Sequence, residues 1–443
     1  MSMTRRGFLA KSLVSAGAAG VATTAARAVT PLNAVLGLST GVLGANDKIR
    51  LGLIGCGGIA HADLGCFLKH KEVECPIICD VDDSRIADLT GVIEKARGTK
   101  PEGVKDFRRI IDRKDIDAVL VCTPDHWHAL PTIHACQAGK DVYCEKPLAT
   151  SIGEGAAMLA AARKYDRVVQ MGTQWRSGPH YAEAVDYVHS GKLGKIRQIR
   201  CWAYLHWAGD AGNTPDAPVP DGVDYDMWLG PAPKRPFNEA RFHFKFRWFW
   251  DYAGGLMTDW GVHLLNIAMW ALKYPTPKMV NCTGGKYKLV DDLSETPDTQ
   301  VAMYDFGDYS LIWEHHSRAG AGLEGREHGI AIWGDKGKLI LDAHGWEVGP
   351  IQAEKGEVEK HEGKNDGRPA HVGNFIDCMR SRERCVEDFE VGHRISTIAH
   401  LGNLALRSGR SIQWDAKNGR VTDNDDANKL LTAPYRAPWK LPV

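Results

Sequence analysis

The amino-acid sequence predicts two domains: an N-terminal α/β domain with a doubly wound parallel sheet, then a C-terminal α+β domain with a large, mostly antiparallel, open sheet. Three observations carry this expectation. The chain has 443 residues, beyond the length at which a single hydrophobic core usually stops growing. Between residues 48 and 170, short continuous apolar strands alternate with helical stretches, the pattern of a parallel sheet covered on both faces. After residue 170, strand-like segments follow one another without helices between them, as in an antiparallel sheet.

The first 28 residues read as an export signal, not as part of the fold. Thr4-Arg5-Arg6-Gly7-Phe8-Leu9 precedes a weakly apolar Ala/Gly/Val stretch, and Ala26-Arg27-Ala28 supplies small residues for cleavage. This resembles a twin-arginine signal, which implies a periplasmic or otherwise extracytoplasmic location. No later run reaches the ~18 apolar residues of a membrane span, so no stable membrane anchor is expected. Residues 29–47 form a linker or arm. The first domain then occupies residues 48–170, with strands at 49–54, 76–80, 118–122 and 141–144 and a helix ending near Phe67. The second domain occupies 171–443, with strands expected at 196–204, 278–287, 299–306, 309–314, 329–333 and 338–342. The Pro- and Gly-rich segments 209–236 and 345–369 are expected to be long loops.

Composition narrows the ligand. Lysine plus arginine equals aspartate plus glutamate, 55 each, so no global field attracts nucleic acid or an anionic membrane. Of 14 tryptophans, several cluster between Trp202 and Trp270, and an aromatic face can cover the C–H face of a sugar ring. The 11 cysteines include no C-x-x-C pair. Twin-arginine export carries folded proteins, so Cys56, Cys79, Cys122 and Cys144 read as buried reduced thiols near strand ends.

Gly55-Cys56-Gly57-Gly58-Ile59-Ala60 fits G-x-G-x-x-A between the first strand and the first helix. Gly55 permits a tight turn, Gly57 lets the backbone approach a pyrophosphate, and the helix start offers free N–H groups to phosphate. Asp80, at the end of the next strand, can accept both ribose hydroxyls and would repel a 2′-phosphate. NAD is therefore expected over NADP in a Rossmann domain, although Arg85, five residues further on, could weaken that discrimination.

Thr123-Pro124-Asp125-His126-Trp127-His128 follows one strand and Glu145-Lys146-Pro147 the next; Gly254-Gly255 precedes Asp259, His263 and Trp270. In that order these motifs resemble the glucose-fructose oxidoreductase, inositol dehydrogenase and MocA (Gfo/Idh/MocA) family, from about Lys48 to about Trp414. The resemblance implies that Lys146 is catalytic and contacts the nicotinamide end, and that Asp259 and His263 complete the site. It implies cofactor contacts from Gly55, Cys56, Gly57, Gly58, Ile59, Asp80, Thr123, Pro124, His128, Glu145 and Lys146. Substrate contacts are expected from Lys146, Gln174, Arg176, Asp259 and His263, and assembly into a homodimer or homotetramer through the second sheet. Two positions depart from the family pattern: Asn266 stands where aspartate is frequent, and Asp125 where asparagine is common after Thr-Pro.

The residues themselves point the same way. Removing hydride from a carbinol carbon requires a base within hydrogen-bond reach of its hydroxyl. His263 suits that task; Asp259, four residues earlier on an expected helix, would share its face. Lys146 can stabilise the alkoxide or relay the proton. His126, His128, Asp259 and His263 are competent metal ligands, but hydride transfer needs none and no metal is expected. The sequence therefore predicts an oxidoreductase acting on a sugar, glycoside or cyclic polyol. Free NAD is scarce outside the cytoplasm, so the cofactor is expected to be retained. Two alternatives stay open: glycoside cleavage by transient oxidation and elimination, as in NAD-dependent glycosidases, and a noncatalytic sugar or cofactor sensor on the same fold.

Overall fold

The structure, a computed structural model, describes residues 47–351 and 356–442. The expected export signal and all of the expected arm but Asp47 lie outside the described residues.

Strand β1 (Ile49–Ile54) is buried at every residue but Arg50, as a central parallel strand requires. It pairs in parallel with β2 (Val73–Cys79) on one side and β4 (Ala118–Val121) on the other. With β3 (Glu102–Val104), β5 (Asp141–Cys144) and β6 (Val169–Met171) they form a six-stranded sheet in the order β3-β2-β1-β4-β5-β6. The order reverses beside β1, so the carboxyl ends of β1 and β4 open a crevice where such sheets bind ligands. One helix covering this sheet comes from far along the chain. Helix Arg368–Ser381 sets Val372 and Phe375 into the core that holds Leu51, Phe67 and Tyr143.

The second sheet comprises β7 (Ile196–Leu205), β8 (Met279–Gly285), β9 (Thr299–Asp305), β10 (Ser310–Ser317), β11 (His328–Gly334), β12 (Lys338–Asp342), β13 (Gly345–Gly349), β14 (Glu359–Glu362), β15 (Ile412–Asp415) and β16 (Arg420–Val421). Its ten strands lie in the order β14-β13-β12-β11-β7-β10-β9-β8-β15-β16. Its pairings are antiparallel except for β7 with β10, where Cys201 lies opposite Trp313. Helices Gly261–Ala271 and Phe389–Ser408 pack into the core on one face. Segment 345–369, expected to be a loop, instead carries β13 and β14. Their sequence, interrupted by charged residues, suits a sheet edge better than a core. Segment 209–236 is a loop except for one short helix, Tyr225–Leu229.

All 11 cysteines lie among the described residues and are free, ten of them buried. Among the described residues no helix is long and apolar enough to cross a membrane.

Candidate active site

A cleft of about 560 Å³ opens at the carboxyl ends of β1 and β4. Gly55, Gly57, Gly58, Ile59 and Asp80 line it on one side; Thr123, Pro124, Glu145 and Lys146 lie further in. Gly55 has φ +92°, and a Cβ there would stand 2.6 Å from the backbone of Cys122 and Thr123. Only glycine fits so close an approach with a left-handed backbone. A Cβ on Gly57 or Gly58 would meet nothing within 4 Å, so their open side faces the cleft. No side chain caps the helix Gly58–Phe67, leaving its first N–H groups for an anion. The Cys56 side chain is buried, while its N–H donates to Asp80 Oδ2 at 2.7 Å. Asp80 Oδ1 accepts from the Asp82 N–H at 3.0 Å. Burial raises the Asp80 pKa and these two N–H groups oppose the rise. Each oxygen keeps a lone pair for a ribose hydroxyl. A dinucleotide therefore fits the residues present.

The second domain closes the cleft from the other side with Met227, Trp228, His243, Phe244, Phe246 and Arg247. This strap is tied to the first domain through its backbone. Asp224 N–H donates to Val81 O at 2.8 Å and Asp83 N–H to Gly222 O at 3.2 Å. Side chains add to this: His243 Nε2 lies 2.9 Å from Asp82 Oδ2, and Trp127 Nε1 donates to Trp228 O at 2.9 Å. Behind it Trp439 packs edge-on against Trp127, centroids 4.9 Å apart, and Arg436 donates to Gly230 O at 3.0 Å.

At the inner end Lys146 Nζ donates to Asp259 Oδ1 at 2.5 Å and to Asp259 O at 3.1 Å. Arg247 Nε reaches the same Oδ1 at 3.3 Å. Burial would raise the Asp259 pKa, but Lys146 and Arg247 outweigh it and hold the carboxyl well below the usual range. His263 is buried and its pKa lies well below 6.5, through burial first and the Lys146 cation second. Its Nδ1 is buried and has no hydrogen-bond partner, and the depressed pKa keeps the ring neutral. Asp259 and His263 do not share a helix: Gly255–Asp259 ends before Gly261–Ala271 begins, with Trp260 between. The break turns the carboxylate toward Lys146 and Arg247, and its hydrogen bonds go to them. The Lys146–Pro147 peptide is cis.

An aromatic wall leads from His263 outward. Trp175 lies 5.0 Å from the His263 ring and 5.8 Å from His328, and Trp260 lies 4.9 Å from His328. Trp207, 44 % exposed, meets both Trp260 and Phe244. Such a wall suits a ring with an apolar C–H face.

Six expected site residues do not line the cleft: Cys56, His128, Gln174, Arg176, Asp259 and His263; Asp259 joins it through its bonds to Lys146 and Arg247. His128 is buried with Nδ1 2.7 Å from Pro147 O and Nε2 3.1 Å from Thr123 O, joining two loops behind the cleft. Burial pushes its pKa down to about 4. Gln174 donates to Asp366 Oδ2 at 3.2 Å. Arg176 lies over Trp270, 4.2 Å from the ring centroid, with Glu387 at 3.5 Å and Tyr274 as a hydrogen-bond partner. Neither Gln174 nor Arg176 lines the cleft; their own neighbours use the polar groups that were expected to meet substrate. Conversely, Arg247, His243 and His328 were missed. A basic residue in the aromatic run 242–250 was the sole signal for Arg247.

Sequence profiles agree with this geometry. Residues 49–173 match the profile described as an oxidoreductase family with an NAD-binding Rossmann fold, and residues 194–283 and 334–441 match the C-terminal α/β domain of the same family. The chain belongs to the Gfo/Idh/MocA family. A family relative, myo-inositol 2-dehydrogenase of Thermotoga maritima, is 23 % identical over 378 residues, covering 83 % of this chain and 99 % of that protein. The α-N-acetylgalactosaminidase of Shewanella oneidensis is 27 % identical over 166 residues, 36 % of each chain. Some curated relatives are matched over only 28 to 54 % of their length. Among solved structures, a levoglucosan dehydrogenase complex with NADH and L-sorbose superposes with a TM-score of 0.65 at 19 % identity, covering 83 % of this chain and 99 % of that one. That likeness supports the two-domain fold.

Proposed function

We propose that the protein is an NAD-dependent oxidoreductase that takes hydride from a ring carbinol of a sugar, glycoside or cyclic polyol, works outside the cytoplasm, and keeps its cofactor between turnovers. The observation that carries the reading is the Lys146–Asp259 ion pair at the inner end of the dinucleotide cleft, beside the neutral base His263. Bound NAD would supply a hydride acceptor. The rest falls to the chain's own groups. His263 receives the hydroxyl proton, which its depressed pKa permits at neutral pH. Lys146 and Arg247 hold the developing alkoxide electrostatically. Trp175 and Trp260 bind the ring and keep water from the buried end.

Retention is supported by the strap: nucleotide cannot leave by the covered side while segment 222–247 is joined to Val81, Asp82 and Asp83. A bound cofactor also fits export as a folded protein. The face of the second sheet that carries exposed Met303 is opposite its helices and supports assembly as a homodimer or homotetramer. The glycosidase relative favours a second reading, in which the same oxidation acidifies a neighbouring C–H, a group is eliminated, and the hydride returns to the same molecule.

One experiment tests these readings. The protein is purified from its native compartment, denatured, and the released nucleotide identified; stoichiometric NAD is expected, and its absence sinks retention. Native protein is then mixed with a panel of sugars while reduced-nicotinamide absorbance is followed. A lasting signal discharged by a second carbonyl compound supports transfer between substrates. Aglycone release without an added acceptor supports elimination. No response with nucleotide present would favour a sensor.

A further inference from the structure

Behind the nicotinamide end of the cleft lies a group of charges that hydride transfer does not use. Asp63, on the helix Gly58–Phe67, is fully buried and ion-paired with Arg368, which begins the helix Arg368–Ser381. The other Asp63 oxygen lies 3.8 Å from Cys122 Sγ. Asp63 also meets the Glu145 carboxyl, 4 % exposed, which lines the cleft. Glu145 Oε2 accepts weakly from the Lys146 N–H at 3.3 Å, and Oε1 has no donor. Gly172 fixes its position, since a Cβ there would come within 2.2 Å of Oε1. With one cation, Arg368, for two buried carboxyl groups, the remaining negative charge is relieved by a proton held between them.

We propose that Asp63 and Arg368 are positioning residues for Glu145: the two carboxyl groups share one proton, Arg368 balances the charge that remains, and that proton leaves for solvent when a cationic oxidised nicotinamide occupies the cleft but stays when the ring is reduced. The inference rests on the cleft being a dinucleotide site. In the step, the shared carboxyl O–H bond breaks, the proton passes to water in the cleft, and the second carboxylate balances the incoming ring charge. No electrons move. The groups facing the pair are Arg368, Cys66, Cys122, Tyr143 and Cys144 on β5, and Lys146, and Lys146 is already committed to Asp259. Burial pushes both carboxyl groups upward, and Arg368 opposes the rise in each. By linkage, NAD+ affinity then rises with pH, by at most about tenfold per unit for one proton, while NADH affinity stays flat.

The test counts protons. The full chain, freed of copurified nucleotide, is titrated with NAD+ and separately with NADH near pH 7, by calorimetry in two buffers of different ionisation enthalpy. Wild type is expected to release a substantial fraction of one proton with NAD+ and none with NADH. Glu145→Gln and Asp63→Asn are expected to release none with either. Equal release with both nucleotides in wild type overturns the proposal, and this comparison needs no variant should Asp63→Asn fail to fold. Undiminished release from Glu145→Gln also overturns it, by assigning the proton to another cleft group such as Asp125. Loss of sugar oxidation with proton release intact would count against the proposed substrate reading alone. Binding of neither nucleotide would overturn both.

Discussion

Lys146 Nζ lies 2.5 Å from Asp259 Oδ1, joining residues 113 positions apart across the two domains. Because both side chains are about nine-tenths buried, the pair is oriented before substrate arrives. Lys146→Met is expected to lower kcat by about 10²–10⁴-fold, with NAD still recovered on denaturation. Asp259→Asn keeps the shape but frees the ammonium, and a smaller loss is expected. Single-turnover reduction of bound NAD checks both; a Lys146→Met enzyme with wild-type rates would remove Lys146 from the chemistry.

His263 sets the acid side of the pH profile. As a base it must be neutral, so the rate falls only when pH drops through its own pKa. Burial and Lys146 place that value well below 6.5, so kcat/KM should hold on acidification past the ordinary imidazole range. His263→Asn should lower kcat by about 10²–10³-fold and remove that limb. A limb at the ordinary histidine value, unchanged in His263→Asn, would assign the proton to another group.

Much of this was legible in the sequence because it was local. The glycine turn at 55–60, the acid at 80 and the E-K-P loop each follow a strand that announces itself by continuous apolar residues. Strands β7 to β12 fall within a few residues of the expected segments. What could not be read depended on partners distant in sequence. Asp63 meets Arg368 across 305 positions and His243 meets Asp82 across 161, and no spacing rule links such pairs. Arg176 misled because an arginine beginning a domain looks available, whereas Glu387, 211 positions away, gives it a buried counter-charge. The expected common face of Asp259 and His263 failed because a helical period cannot reveal a break at Trp260.

The strap predicts a kinetic effect separable from chemistry. His243→Ala removes the side-chain tie to Asp82 and leaves the backbone ties, so nucleotide release should quicken by about tenfold, equivalent to ~1.4 kcal/mol. Release is followed by trapping free NAD with an external dehydrogenase. An unchanged release rate would place the barrier to exit elsewhere.

Arg176 should behave as a structural residue. Burial pushes Glu387 up to about 7, with Arg176 opposing it. Arg176→Ala leaves that carboxyl buried without its cation and removes packing over Trp270. A stability loss of about 3 kcal/mol is expected in denaturant melts, with KM for the sugar unchanged. A raised KM at unchanged stability would restore the substrate contact that its position in the sequence suggested.

Asp125 couples the same electrostatics to pH. It is buried beside the cleft, and burial, with some repulsion from Asp259, pushes its pKa up to about 7 against the pull of Arg247 and Lys146. An unfolded aspartate titrates near ~3.9, so between these values the folded chain holds the extra proton. The Asp125 contribution to stability is therefore greatest below the unfolded pKa and is lost as pH rises toward 7. Asp125→Asn removes the titration while keeping the size and a polar group in the loop. The variant should match wild type near pH 4 and exceed it at pH 8 by on the order of 2 kcal/mol, flattening the dependence between. Arg247 keeps Asp259 as its partner in the variant, so no new unpaired cation offsets the gain. Melting temperatures of the nucleotide-free protein at pH 4, 6 and 8 decide the matter: a variant that loses stability equally at all three would mean that the Asp125 carboxylate stays ionised in the fold, held by Arg247 and Lys146 against its burial.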